Sequence, residues 1–240
     1  MGRTLATPSH QHLNNRIFTW FEDFAWYITP HLWTSLASDG GTSVAIVTGD
    51  NGLLGLTTGA TDNNEAAVRT TNKLFTIADG KTLVGEALLQ YSEAATDDAN
   101  VAFGFSSVIG ADQLLDDGAG PATNFSGALI YKVDGGTVWK VVSSKGTTQT
   151  ISTSTKTAGG TTQQKLTITI TPTTSTIAEV TYLVDDVPLY DAAIVNRQQP
   201  IKHYITYASA VAMYVGAYVK AGGATSEVLN IDWISWEKVR

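Results

Sequence analysis

The sequence predicts an all-β protein, an antiparallel sandwich or barrel, and three observations carry that reading. Short runs rich in β-branched and aromatic residues recur along the chain, separated by turn residues at intervals of roughly 8 to 15 residues, as in sandwiches and barrels. No stretch holds an apolar period of 3.6 over three turns; the best helical segment, around Asp112 to Asp116, makes one turn at most. Of the 240 residues 43% are hydrophobic and only 15% are charged. The polar surface therefore has to be built from Thr, Ser, Asn, Gln and Gly, a β-rich surface chemistry.

In chain order, SVAIVTGD at 43–50 and GLLGLTTG at 52–59 read as strands around the turn Asp50-Asn51-Gly52. AAVRTTN follows at 66–72, and beyond the turn Ala78-Asp79-Gly80 the run KTLVGEALLQYSE at 81–93 is the first long strand. Val101, Ala102, Phe103 and Phe105 are apolar on both faces, as in a central strand covered by the core on one side and by a loop or neighbour on the other. GALIYKVDG and TVWKVVSSKG flank the turn Asp134-Gly135-Gly136. Thr and Ser crowd residues 143–176; Ile151 and the flanking strands make this an exposed hairpin rather than a linker. Leu166, Ile168 and Ile170 alternate with Thr167, Thr169 and Thr171, giving one buried face and one Thr-rich wet face. AEVTYLVDDVPLY at 178–190 and VAMYVGAYVK at 211–220 follow, and Gly222-Gly223 leads into LNIDWISWEKVR. There the alternation puts Leu229, Ile231 and Trp233 on one face and Asn230, Asp232, Ile234 and Trp236 on the other. So apolar an end reads as the closure of the fold.

One domain is expected over residues 20–240, since all-β sandwiches of this size form around one core. Residues 1–19 read as an extended N-terminal arm carrying Arg3 and Arg16 and no acid, on a chain of net charge −7. That charge disfavours affinity for nucleic acid phosphates, and no run of about 18 apolar residues is present to span a membrane. The start has basic residues but no apolar stretch behind them, so no secretory signal is read. Zero cysteines exclude disulfides, thiolate metal sites and thiol nucleophiles.

The aromatic entry Phe21-Glu22-Asp23-Phe24, then Trp33 and the hairpin GDNGLLGLTTG, the long TLVGEALLQYSEAATDDANVAFGFSS, the late TYLVDDVPLY and the closing LNIDWISWEKV come in a telling order. It resembles the concanavalin A-like jelly-roll sandwiches, the lectin and laminin-G-like class, and within it the versions in tailed-phage virion structural proteins. The resemblance covers residues 20–240. Its most specific pieces are ANVAFGFSS after an apolar strand, and YLVDDVPLY, with Asp185-Asp186 where such sandwiches commonly read Asp-Gly. It implies an antiparallel jelly-roll β-sandwich whose last strand returns beside the first. Trp233 and Trp236 would then approach the aromatic entry at Trp20 to Trp26.

Laminarinase-like glycosidases of this class place three carboxylates on one strand as Glu-x-Asp-x-x-Glu, because alternate residues face one cleft. None of the seven glutamates, Glu22, Glu65, Glu86, Glu93, Glu179, Glu227 and Glu237, sits in such a pattern. Gly-x-Ser-x-Gly and a phosphate loop are missing too, so a non-enzymatic protein without cofactor is expected. His10-Gln11-His12 is the one close histidine pair, and the oxygen-rich stretches 96–100 and 112–117 lack the Gly-punctuated twelve-residue loop ending in Glu. Their Asp and Asn read as turn caps, and no metal is expected. Sugars pack on exposed aromatic rings flanked by polar groups; Tyr131 and Trp139 are the candidate platforms, although core packing is the favoured role for each.

The expectation is a virion structural protein: a phage head decoration or cement protein, or a fibre-associated module. It would sit on the capsid surface of a particle assembled in the host cytoplasm, as a homo-oligomer with the major capsid protein or other virion subunits as partners. Arg3, His10, His12, Arg16 and Trp20 are the candidate docking residues, where the basic arm meets the aromatic entry. The alternative is a carbohydrate-binding, lectin-like adhesion module that meets surface glycans through Tyr131 and Trp139. No direct nucleic acid or membrane partner is expected.

Overall fold

Alternating apolar and polar residues turn most of the chain into strands. The computed structural model describes residues 17–239 apart from 26, 28–30, 38, 48–51, 79, 195–198 and 208–210. In chain order the strands are β1 (Ile17–Glu22), β2 (Trp33–Leu36), β3 (Ser43–Val47), β4 (Leu53–Thr57), β5 (Glu65–Thr70), β6 (Phe75–Thr76), β7 (Leu83–Ser92), β8 (Ala99–Ser106), β9 (Leu114–Leu115) and β10 (Gly120–Pro121). They continue as β11 (Gly127–Lys132), β12 (Val138–Lys145), β13 (Thr148–Thr157), β14 (Gln164–Pro172), β15 (Ile177–Val184), β16 (Val187–Pro188), β17 (Lys202–Thr206), β18 (Ala212–Ala221) and β19 (Val228–Val239). Residues 112–116 yield no α-helix; a 3₁₀ turn follows at Asp116–Gly118.

Among the described residues a nine-stranded sheet runs β16-β15-β14-β7-β19-β4-β3, with β1 also on β19 and β17 on β15. An eight-stranded sheet runs β13-β12-β11-β8-β18-β5-β2, with β6 on β18. The chain changes sheet between β7 and β8 and again between β18 and β19, so the long central strands stack face to face. The result is an antiparallel jelly-roll sandwich, the expected fold class. Leu83, Ala87, Leu89, Leu166, Ile168 and Ile170 of one sheet meet Val101, Phe103, Phe105, Val215, Ala217 and Val219 of the other in one buried core.

β8 is buried along its whole length. Its outward Ala102 lies in a second apolar cluster with Leu129, Tyr131, Val142 and Tyr218, beneath Ile109, Leu114 and Phe125 from the segment between β8 and β11. This is the loop cover expected for an all-apolar central strand. At Gly104 φ is 152°, and a Cβ would stand 2.3 Å from the Ala128 carbonyl oxygen. Only glycine lets β8 and β11 approach this closely.

β1 pairs with β19 from Ile17↔Val239 to Glu22↔Ile234, so residues 17–19, read from the sequence as arm, are sheet. Trp20 stacks on Trp236 at 6.0 Å and 14°, and Trp236 meets Trp33 and Phe75 edge-on. The alternation expected through β19 breaks at a register shift between Ile231 and Trp233. Leu229, Ile231, Ile234 and Trp236 are buried together, whereas Trp233 turns outward to meet Phe21 at 5.6 Å. One extra residue in the strand reverses the faces beyond it. Asp185 and Asp186 both adopt left-handed φ, 55° and 62°, in the two-residue turn between β15 and β16.

Candidate functional site

The sequence-predicted residues do not converge. Arg3, His10, His12 and Arg16 lie outside the described residues. Trp20 is 39% exposed, its ring laid on Trp236. Trp139 and Tyr131 are buried, which corrects their reading as exposed platforms. On β12 the Trp139 side chain shares the inward face with Val141; its Nε1 donates to Gln164 Oε1 at 2.8 Å and its ring meets Tyr91 edge-on. Tyr131 faces outward from β11 but sits within the second apolar cluster, and burial pushes its hydroxyl pKa up.

The exposed ring that sugar chemistry asks for is Tyr204. β17 reads Lys-His-Tyr-Ile-Thr, with His203 and Ile205 buried and Lys202, Tyr204 and Thr206 outward; Tyr204 is 59% exposed. Glu179 lies opposite it on β15, accepting a hydrogen bond from the Tyr204 hydroxyl at 3.2 Å and another from Lys202 Nζ at 3.0 Å. The ring is thereby held, and the Lys202 charge is engaged.

Beside this ring a groove of about 390 Å³ opens between β17 and the β12–β13 hairpin. Thr148, Thr150 and Thr206 line it, the buried Ser143 and Ser144 border it, and Lys145 adds one cation. The hairpin turns at Gly146, φ 61°, whose N–H donates to Ser126 Oγ at 3.0 Å, and the Ser144 hydroxyl donates to the Phe125 carbonyl at 2.7 Å. These bonds tie the tip of the hairpin to the base of β11.

A buried histidine spaces the walls. His203 Nε2 lies 3.1 Å from Ser152 Oγ on β13, and Nδ1 lies 3.2 Å from the Tyr182 hydroxyl, which is also 3.1 Å from the Val142 carbonyl. Both hydroxyls can give or accept, so each can complete the neutral ring, which carries its proton on one nitrogen and accepts on the other. Burial lowers the His203 pKa to about 4, against an opposing influence of Asp191, so the ring is neutral at pH 7. β17 of one sheet is thus bonded to β13 of the other. The groove can exchange hydrogen bonds with hydroxyl groups and pack an apolar ring face on Tyr204.

Among the described residues no group of three or more His, Asp or Glu side chains is arranged to hold a metal ion. The Ser/Thr crowding of 143–176 pointed to the hairpin. Tyr204 was missed although Lys-His-Tyr-Ile-Thr alternates, because its exposure depends on the edge position of β17.

No protein-family model and no curated protein matches the sequence. Solved structures match in fold. The endo-1,3-beta-glucanase from Streptomyces sioyaensis does so with a TM-score of 0.60 at 15% identity, over 98% of this chain and 99% of its own. The Emp47p carbohydrate recognition domain gives 0.57 at 10% identity, over 91% and 93%. A protein of unknown function from Shewanella oneidensis MR-1 gives 0.55 at 15% identity, over 100% and 97%. The likeness is one of fold, a concanavalin A-like sandwich. It corrects the expectation of a non-enzymatic protein: a glucanase shares this fold over nearly its whole length, so the missing Glu-x-Asp-x-x-Glu excludes one arrangement of carboxylates and no more.

Proposed function

We propose that the protein binds carbohydrate, with Tyr204 as the ring on which a sugar packs and the Ser/Thr-lined groove beside it as the partner for sugar hydroxyls. The observation that carries this reading is an exposed aromatic ring, fixed by Glu179, at the rim of a hydroxyl-lined groove. A fold that also serves a carbohydrate recognition domain supports it. Sugar C–H faces gain by leaving water against an aromatic face, and closely spaced hydroxyls replace the hydrogen bonds that the sugar gives up.

A glycan array followed by calorimetry tests the proposal. Tyr204→Ala should weaken binding roughly tenfold and leave the unfolding midpoint unchanged, because the ring is outward; Tyr204→Phe should retain binding. A wild-type protein that binds no glycan, or a Tyr204→Ala variant that binds like wild type, refutes it. The second reading is a virion setting with capsid or other virion subunits as partners. It draws on the leader residues Arg3, His10, His12 and Arg16, and the likenesses in fold favour the glycan reading over it.

A further inference from the structure

On the side away from β16 the nine-stranded sheet has a stepped edge. β4 and β1 pair with the same side of β19, at Val228–Ile231 and Ile234–Val239, and β3 lies outside β4, so at β1 the sheet is one strand narrower. Among the described residues the outer edge of β1 has no backbone partner. Ile17, Phe18, Trp20 and Phe21 are 60%, 38%, 39% and 58% exposed along it. Edge strands are ordinarily blunted by lysine, proline or a bulge. β16 has Pro188, and β13, at an edge of the other sheet, has Lys156 and a register shift in its pairing. β1, Ile-Phe-Thr-Trp-Phe-Glu in unbroken register with β19, has none of the three. An apolar strand with an open backbone edge is a template for another strand.

The chain itself supplies the complement. Two identical strands paired antiparallel are related by a two-fold axis normal to the sheet, so every side chain keeps its face. Opposite residues must both turn their backbone groups to the shared edge, so the axis passes through a residue: Phe18, Thr19 or Trp20 for well-overlapped strands. Centred on Thr19, Ile17 meets Phe21 on the outer face and Phe18 meets Trp20 on the inner. Arg16, next before Ile17 in the sequence, then comes opposite Glu22. Charge selects this register. The Glu22 end of β1 is acidic: Asp23 follows, and partial burial together with the Asp23 carboxylate raises the Asp232 pKa. Centred on Trp20, Ile17 would instead meet Asp23; centred on Phe18, Arg16 would meet Trp20.

We propose that the protein forms a two-fold dimer by antiparallel pairing of β1 with β1 of a second copy, centred on Thr19, which joins the two nine-stranded sheets into one. The partner's β1 fills the step and continues the row that β3 begins. β17, with Tyr204, lies across the sheet from β1. The dimer therefore holds its two Tyr204 grooves at opposite ends, and a surface dense in ligand is met by both. The pairing itself stands without the carbohydrate reading.

Sedimentation equilibrium on the full chain between about 1 and 100 μM tests it, since a small interface dissociates in that range. Wild type should show a dimer; a monomer throughout overturns the proposal. Thr19→Lys sets two ammonium groups opposite each other across the axis, while within its own chain it faces Glu237. It should weaken the dimer roughly tenfold or more and stay folded by circular dichroism. Arg16→Glu, ahead of the strand, should weaken it about tenfold. A dimer untouched by Thr19→Lys overturns the interface, and one untouched by Arg16→Glu overturns the register. The chain has no cysteine, so Thr19→Cys reports the axis directly: opposite Cα atoms in an antiparallel pair are about 4.5–5.5 Å apart, within disulfide reach. Under mild oxidation it should give a covalent dimer, whereas Thr171→Cys, exposed on β14, should not; equal cross-linking of the two overturns the pairing.

Discussion

Acid should unlatch the bond between the two sheets at His203. In the folded protein this ring is 3% exposed, neutral, and engaged on both nitrogens, by Tyr182 and Ser152. Its pKa falls from 6.5 to about 4, whereas the unfolded chain protonates it with the ordinary value. Between those values the unfolded state binds the extra proton, so the contribution is whole above pH 6.5 and is lost as pH falls towards 4. The shift corresponds to about 3 kcal/mol, of the order of a third of a typical domain's stability. Protonation also makes both ring nitrogens donors, so the hydroxyl that had donated to the ring has to turn around. Urea unfolding at steps from pH 7.5 to 4.0, on wild type and His203→Gln, isolates this group, because the carboxylates titrate in both proteins. At pH 7.5 the variant should be the less stable; by pH 4 that difference should have closed by about 3 kcal/mol. Two curves that stay parallel throughout would refute the reasoning.

Lys220→Met leaves Glu65, Asp112 and Asp116 facing one another without their cation. Loss of a buried ion-pair partner costs about 3–5 kcal/mol, but Asp112 and Asp116 are 68% and 59% exposed and recover hydration. A loss nearer 2 kcal/mol is expected in urea melts at pH 7, with faster amide exchange at Ile109 and Leu114; unchanged exchange there would remove Lys220 as the pin of the 107–126 segment. Truncation after Asn230 deletes the part of β19 that pairs with β1 and with most of β7. The product should show no cooperative melt by circular dichroism, and a soluble, cooperatively melting one would contradict this account of closure.

What was legible depended on how local the cause was. Leu166 to Thr171 announced a half-buried strand because alternation is a property of the strand itself, and the all-apolar Val101 to Phe105 announced cover on both faces. Trp139 could have been assigned inward with Val141, two positions along the same strand. Tyr131 could not be, because it points away from the core and is buried only by residues 107–126 folding back over it. The outward turn of Trp233 comes from a bulge that arises in the pairing of β19 with β7, which no pattern within β19 discloses. The site divided in the same way: the Thr-rich hairpin was visible, whereas the groove needs β17 brought beside it by β15. Function was the least legible part, since one sandwich serves a glucanase and a carbohydrate recognition domain alike.

The strand that fills the middle of the nine-stranded sheet is the last of the described strands in chain order. β19 lies between β7 on one side and β4 and β1 on the other, so until it emerges from the ribosome those strands face a gap where their partner belongs. Some 135 residues separate the end of β7 from the start of β19, which at roughly 5–20 residues per second is a delay on the order of ten seconds or more. Throughout it the edges of β7 and β4 carry open backbone donors and acceptors beside apolar side chains, the surface on which nascent chains pair with one another. A ribosome stalled ahead of Val228 therefore holds a sheet with its centre missing. The yield of the protein in a cell should follow how quickly β19 is translated and joins the sheet more closely than it follows the stability of the finished sandwich.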